Sequence, residues 1–223
     1  MMQTRANTGW PQLIAMAAID FTDIFKYNIC MKTETKNAWF TSDLHFDHNR
    51  IIQLAPKHRT FGTVDDMNTA LINAINVTVP AEDVLYILGD VSFGKPSDTL
   101  TYLDSINCHK VLIVGNHDSI ITNNAALRSK FDEIHPLLER HFKVGDSKYT
   151  IVMCHYAMKA WRNAQYGSIH LYGHSHGNMP DDGSRSMDVG VDAIGMIPIS
   201  VADVVARMTA RPVTQLPDHH MSK

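Results

Sequence analysis

Five short apolar runs in this chain each end in a cluster of polar residues whose side chains can bind metal ions or move protons. The five stretches, in chain order, are FTSDLH, YILGD, LIVGNHD, VMCHY and LYGHSH. Apolar runs of this length are typical of buried strands, and in open α/β sheets ligands bind just beyond the strand ends. The recurrence therefore predicts an α/β sheet protein with one polar site built from several strand ends.

The order of predicted elements indicates how the layers are arranged. Strands and helices alternate in the first half of the chain, and the second half is rich in strands. This order predicts a layered α/β/β/α sandwich with mixed sheets and the active site at the strand ends. Three helices are predicted: 63–76 with Thr63 as its cap, 97–106 with Ser97 as its cap, and 200–208. The predicted strands are 37–42, 83–88, 110–114, 168–172 and 186–192. A β-hairpin is predicted over 142–154, with its turn at Gly145-Asp146.

The length of 223 residues suits one α/β domain. Residues 36–210 contain all the motifs and are predicted to be that domain. Residues 1–35 carry no motif and precede a second plausible start at Met31, so we expect an N-terminal extension that the fold and activity can dispense with. Residues 211–223 are predicted to be a loose C-terminal tail.

Composition excludes several classes of protein. The formal net charge of −3 does not favour binding to long nucleic acid or to an anionic membrane. No apolar run reaches the ~18 residues needed to span a bilayer. Three cysteines without CxxC spacing argue against a disulfide framework and indicate a reducing, cytoplasmic setting.

The polar clusters together supply carboxylate, amide and imidazole groups. This ligand set suits a borderline divalent ion, with Mn²⁺ the first choice and Fe²⁺, Zn²⁺ or Ni²⁺ as alternatives. Two of the clusters are i, i+2 pairs, which would share one face if the chain there is extended. Seven ligands exceed what one ion usually takes, so two ions are expected if Asp90 bridges them. The candidate ligands are Asp43, His45, Asp90, Asn116, His155, His174 and His176.

The motifs D-x-H, G-D, G-N-H-D, H and G-H-S-H, in this order, resemble those of the calcineurin-like metallophosphoesterase superfamily. The resemblance spans about residues 38–205, and its wider context is similar to a small, uncharacterised bacterial and phage branch. It implies a first metal on Asp43, His45 and His176, a second on Asn116, His155 and His174, and Asp90 as the bridge. It also implies that His117 is the catalytic residue beside the substrate phosphate. Asp118, the last residue of that motif, is expected to brace its loop.

The resemblance implies a hydrolase that cleaves a phosphoester. The stretch GDVSFGK lacks the second Asp and the Arg of the protein Ser/Thr phosphatases, which argues against a phosphoprotein substrate. We therefore expect a small phosphodiester or phosphomonoester, with a nucleotide-like ester as the first choice and with a metal-dependent nuclease or a non-catalytic metal-stabilised scaffold as alternatives. Candidate substrate contacts are His48, Asn49, Arg50, Arg59, Trp161 and Tyr166. For the two arginines the competing interpretation is an ordinary solvated side chain, and for the two aromatic residues it is an ordinary packing role.

Overall fold

The computed structural model describes residues 33–34 and 37–213. Nearly all of the predicted extension and of the predicted tail lies outside these residues. The ten strands of the described chain are β1 Thr33–Glu34, β2 Ala38–Thr41, β3 Val84–Ile87, β4 His109–Ile113, β5 Glu133–His135, β6 Leu137–Val144, β7 Ser147–Cys154, β8 Ile169–Tyr172, β9 Ser186–Asp188 and β10 Ile199–Ser200.

Seven α-helices connect these strands within the same residues. They are α1 Asn49–Leu54, α2 Val64–Thr78, α3 Pro96–Asp104, α4 Ser119–Thr122, α5 Ala125–Arg128, α6 Val191–Ile194 and α7 Val201–Thr209. The predicted cap of α2 is confirmed, since the hydroxyl oxygen of Thr63 accepts a hydrogen bond from the Asp66 amide. The hydroxyl oxygen of Ser200 caps α7 in the same way, by accepting a hydrogen bond from the Asp203 amide. These caps satisfy amides that have no partner inside the helix.

The strands form two five-stranded sheets. The first has the order β10-β2-β3-β4-β5 and is parallel except for β10; the second has the order β1-β6-β7-β8-β9, with β6 and β7 as an antiparallel hairpin. β2, β3 and β4 run parallel, and so do β7 and β8. Parallel strands end at the same sheet edge, so the five polar clusters follow strands that end at two edges only.

The alternation of side chains along the first sheet explains the layers. Phe40 and Tyr86 face the second sheet and pack in one core cluster with Phe142 and Leu171. Because successive side chains of a strand point to opposite faces, their neighbours face the other way. Leu85, Ile87 and Leu112 pack in the second core cluster, against Leu71 and Ile75 of α2. The predicted mixed α/β layers are confirmed.

The outer face of the second sheet carries a smaller layer. Trp161 and Ala164 pack there against Val152. Ala164 is the first residue of a 3₁₀ helix, Ala164–Tyr166. On the opposite face of this sheet, helix α7 contributes Val204 and Val205 to the core between the sheets.

Three predicted elements have wrong boundaries. The hairpin predicted over 142–154 begins at Leu137. Helix α3 begins at Pro96, and the side chain of Ser97 makes no cap. Proline suits the first helical position because its φ is already helical and its missing N–H has no partner to lose there. The predicted strand over 186–192 ends at Asp188, since Gly190 begins the short helix α6.

Candidate metal centre

Six of the seven candidate ligands form two compact groups. In each group the ligand atoms lie within 4.8 Å of one another. Asn116, the seventh candidate, joins the second group through its amide oxygen, which lies 3.0 Å from Nε2 of His155. The first group consists of Asp43, His45 and His176, and the second of Asp90, His155 and His174.

The first group has a buried nitrogen without a hydrogen-bond partner in the described part of the chain. This atom is Nε2 of His45, a residue that is only 3% exposed. Its nearest carboxylate oxygens, on Asp43 and Asp90, are each 3.8 Å away. Burial lowers the pKa of His45, which favours the neutral ring with a free lone pair. An unpartnered imidazole nitrogen facing two carboxylates fits a divalent cation.

The second group has two acceptors that face each other. Nδ1 of His155 lies 2.7 Å from the carbonyl oxygen of Leu88, which can only accept, so Nδ1 carries the proton. In the neutral ring Nε2 then presents a lone pair, and this nitrogen faces the amide oxygen of Asn116. Two facing lone pairs repel each other, and a cation between them removes that repulsion. The donor set of the second group therefore also fits a metal ion.

Asp90 spans the two groups. Its Oδ1 lies 3.6 Å from Nε2 of His155, and its Oδ2 lies 3.8 Å from Nε2 of His45. Oδ1 also accepts a hydrogen bond of 3.0 Å from the backbone amide of His117. One carboxylate therefore directs one oxygen to each group, as a bridging ligand requires.

The backbone at five of the ligands is left-handed. The expectation that each i, i+2 pair shares one face of an extended chain was therefore wrong. Asp43, His45, Asp90, His174 and His176 all have φ between 48° and 65°. This left-handed conformation costs non-glycine residues on the order of 1 kcal/mol or more, and such strain is typical of functional sites. The pairs meet because left-handed turns bring their side chains together.

Asp118 braces the loops that carry the ligands. Its buried carboxylate accepts hydrogen bonds from the backbone amides of Asp90, Val91 and Gly115, at 3.0, 2.9 and 2.7 Å. Three amide donors can hold a carboxylate in a dry site. The contacts tie the end of β4 to the loop after β3, and this agrees with the role expected from the sequence.

Arg59 is a structural residue, and its expected contact with a substrate phosphate is wrong. The side chain is 1% exposed and pairs with Asp192, with two nitrogen–oxygen distances of 2.9 Å. It also donates to the backbone oxygens of Asp43 and Leu44. All of its donors that could bind a phosphate bidentately are thus directed into the protein.

Sequence reasoning missed Asp192. Its Oδ2 lies 2.6 Å from Nδ1 of His176, and this contact with the carboxylate raises the pKa of that histidine. A carboxylate on the second nitrogen of a metal-binding histidine fixes the orientation of the ring. The stretch GVDAIG contains no signal that distinguishes Asp192 from a surface carboxylate near a helix start.

His48 lies against the first group. Its Nδ1 is 2.8 Å from Nδ1 of His45, and the two rings are stacked. Burial lowers the pKa of His48 to about 4. The neutral ring of His48 can accept a hydrogen bond from Nδ1–H of His45, which leaves the lone pair of His45 Nε2 for a metal.

We expect His48→Ala to weaken metal binding by about 10–100-fold, because the partner that orients His45 is lost. His48→Asn keeps a side-chain acceptor near the same position and should recover part of the affinity. Titration of the apo protein with Mn²⁺ measures both variants. Unchanged affinity in His48→Ala would show that His48 only packs against its neighbours.

Two aromatic side chains at the site were also missed. Phe93, 38% exposed, stacks on His45 and His48 and lies 4.6 Å from the ring of His117. Tyr156, 47% exposed, packs edge-on against His155 and His174. Tyr156 is the last residue of the stretch VMCHY, and Phe93 comes three residues after the stretch YILGD. This proximity to a motif is the signal that the sequence offers.

The other expected substrate contacts lie in different places. Trp161 is 8% exposed and donates from its indole nitrogen to the backbone oxygen of Ser168, so it packs the loop layer. Tyr166 is 79% exposed on the same loop, and no contact within residues 37–213 joins it to a ligand. Asn49 and Arg50 are exposed at the start of α1, directly after His48.

Comparison with known proteins identifies the class. The family model for calcineurin-like phosphoesterases matches residues 37–178, and the chain belongs to this family of hydrolases, whose members typically bind divalent metals. The chain is 28% identical to the uncharacterised protein MJ1445 of Methanocaldococcus jannaschii, over 78% of this chain and 91% of that protein. It is 30% identical to the gene 66 protein of mycobacterium phage D29, over 70% and 88% of the two chains.

A solved structure has a similar fold. The protein of unknown function AQ665 from Aquifex aeolicus matches 79% of this chain and 100% of its own, with a TM-score of 0.58 and 22% identity. The likeness supports the layered α/β fold.

Proposed function

We propose that this chain is a phosphoesterase that hydrolyses a small phosphodiester or phosphomonoester, with a nucleotide-like ester as first choice, through two divalent metal ions. The observation that carries the proposal is the position of Asp90 between two ligand groups. Mn²⁺ is the first choice of ion, with Fe²⁺, Zn²⁺ or Ni²⁺ as alternatives. Two such ions, when bound, would polarise the phosphoryl group and supply a nucleophile at neutral pH.

The protein residues have separate roles in this proposal. Asp43, His45 and His176 would hold one ion, Asn116, His155 and His174 would hold the other, and Asp90 would bridge them. His117 belongs to neither group of ligands and is exposed at the mouth of the site. Its ring is free to donate a hydrogen bond to a phosphoryl oxygen or to protonate the leaving oxygen.

The cellular setting is also a proposal. Among residues 33–34 and 37–213 no helix has both the length and the apolar character to cross a membrane. Cys108 and Cys154, the two described cysteines, are free thiols, which supports a reducing compartment such as the cytoplasm.

Metal removal tests the proposal directly. We expect the protein, reconstituted with excess Mn²⁺ and desalted, to hold about two ions per chain by elemental analysis and to cleave bis-p-nitrophenyl phosphate. EDTA should abolish cleavage, and added Mn²⁺ should restore it. Full activity with one ion per chain, or in EDTA, would refute the two-metal proposal. A strong preference for long DNA over every small ester would favour a nuclease instead.

A further inference from the structure

A large cavity lies beside the residues that support His176. Its volume is about 740 Å³, and Gly177, Asp188 and Asp192 form part of its wall. A second cavity of about 330 Å³ shares His58 with it and is lined by His176 itself. The two cavities therefore extend from a candidate metal ligand into the region between α1 and the loop after β8.

The wall of the large cavity is mostly apolar. It includes Met158, Tyr172, Met179, Pro180 and Met187. Methionine side chains are flexible and polarisable, so they adapt to planar or irregular organic groups. The volume falls in the range of roughly 300–1,000 Å³ that is typical of pockets for small organic ligands.

The charged groups of the wall are acidic rather than basic. The cavity is lined by four carboxylates, from Asp181, Asp182, Asp188 and Asp192, and by two permanent cations, from Lys159 and Arg211. Arg211 is already paired with Asp181 at 2.8 Å. A groove that follows a nucleic-acid backbone needs an excess of cations. This cavity is therefore unsuited to a polyanionic strand.

The carboxylates of the wall also have partners of their own. Asp188 accepts hydrogen bonds from the backbone amides of Gly177 and Gly190, and Asp182 accepts one from that of Ser184. Asp181 and Asp192 are in turn paired with Arg211 and Arg59, so all four carboxylates of the wall have at least one partner. An uncharged group is the occupant that the wall accommodates at least cost.

We propose that this cavity binds the non-reacting organic group of the substrate, and that this group is uncharged and of nucleoside size. The inference rests on the proposed function and names the substrate class of the same site. It is independent of Trp161 and Tyr166, which the sequence offered as candidate substrate contacts.

Two esters with one leaving group test the inference. Methyl p-nitrophenyl phosphate and thymidine 5′-p-nitrophenyl phosphate are both singly charged diesters that release p-nitrophenol. We expect Mn²⁺-loaded protein to show a kcat/KM at least about tenfold higher for the thymidine ester, because pocket contacts of this kind are worth roughly tenfold or more. Equal kcat/KM values for the two esters would overturn the inference alone. No cleavage of either ester would overturn the proposed function.

Substitutions then locate the effect. Ala193 is exposed and lines the cavity, so Ala193→Phe should fill it and lower the preference for the thymidine ester about tenfold. The matched control, Ala126→Phe on α5, lies on another exposed helix and should leave the preference unchanged. Met179→Ala, at a side chain that is 49% exposed, should lower the preference severalfold without disturbing the core. Retention of the full preference in both cavity variants would overturn the inference.

Discussion

His117→Ala should lower kcat by about 10²–10⁴-fold while both metal ions stay bound, because general acid–base help from one side chain is worth that much. The substitution removes only the ring. The backbone amide of residue 117, which donates to Asp90, is kept, so the position of that carboxylate should not change. Steady-state kinetics with bis-p-nitrophenyl phosphate and elemental analysis of the same sample measure the two effects.

Asp90→Asn is the matched control for this experiment. A neutral amide is a poor bridge between two cations, so this variant should lose metal as well as rate. If His117→Ala emptied the site while Asp90→Asn kept both ions, the roles of the two residues would have to be exchanged.

Arg59→Met should lower the free energy of unfolding by about 3–5 kcal/mol, the usual result of removing one partner from a buried ion pair. Both side chains of the pair with Asp192 are 0% exposed, so the remaining carboxylate would be buried without its cation. The carbonyl oxygens of Asp43 and Leu44 would lose a donor at the same time. Thermal unfolding of the apo protein should show a decrease in Tm of roughly 6–20 °C.

A double variant separates stability from metal binding. Arg59→Met with Asp192→Leu removes both charges and should recover much of the lost stability. Its metal affinity should stay below that of the wild type, because His176 has lost the carboxylate that orients it. A Tm for Arg59→Met within 2 °C of the wild type would mean that the pair contributes little to folding.

The core elements could be predicted because each is local and strongly patterned. The cap of α2 by Thr63 and the hairpin turn at Gly145-Asp146 depend on residues that are neighbours in the chain. The short strands at the sheet edges could not be predicted, since β10 and β5 contain two and three residues and exist only through pairing with β2 and β4. Such segments have no pattern that is long enough to detect.

The residues of the candidate site also divide into those that local sequence predicts and those that it does not. The ligand residues could be selected because each follows an apolar strand, a signal that is contained in a few adjacent residues. Asp192 contacts residues 133 positions away in Arg59 and 16 away in His176, and no sequence pattern relates them. Arg59 was misinterpreted for the same reason, because burial decides whether an arginine binds a ligand or a neighbour.

The left-handed backbone at five ligands has a consequence for how this family can change over time. Glycine adopts φ near 50–65° without cost, whereas Asp43, His45, Asp90, His174 and His176 hold it under strain. Selection for folding alone would therefore favour glycine at these positions, and selection for metal chemistry keeps aspartate and histidine. A lineage that no longer needs the metals should accumulate glycine there, because glycine relieves the backbone strain. Glycine at these five positions would therefore be a sign of lost activity in a descendant chain.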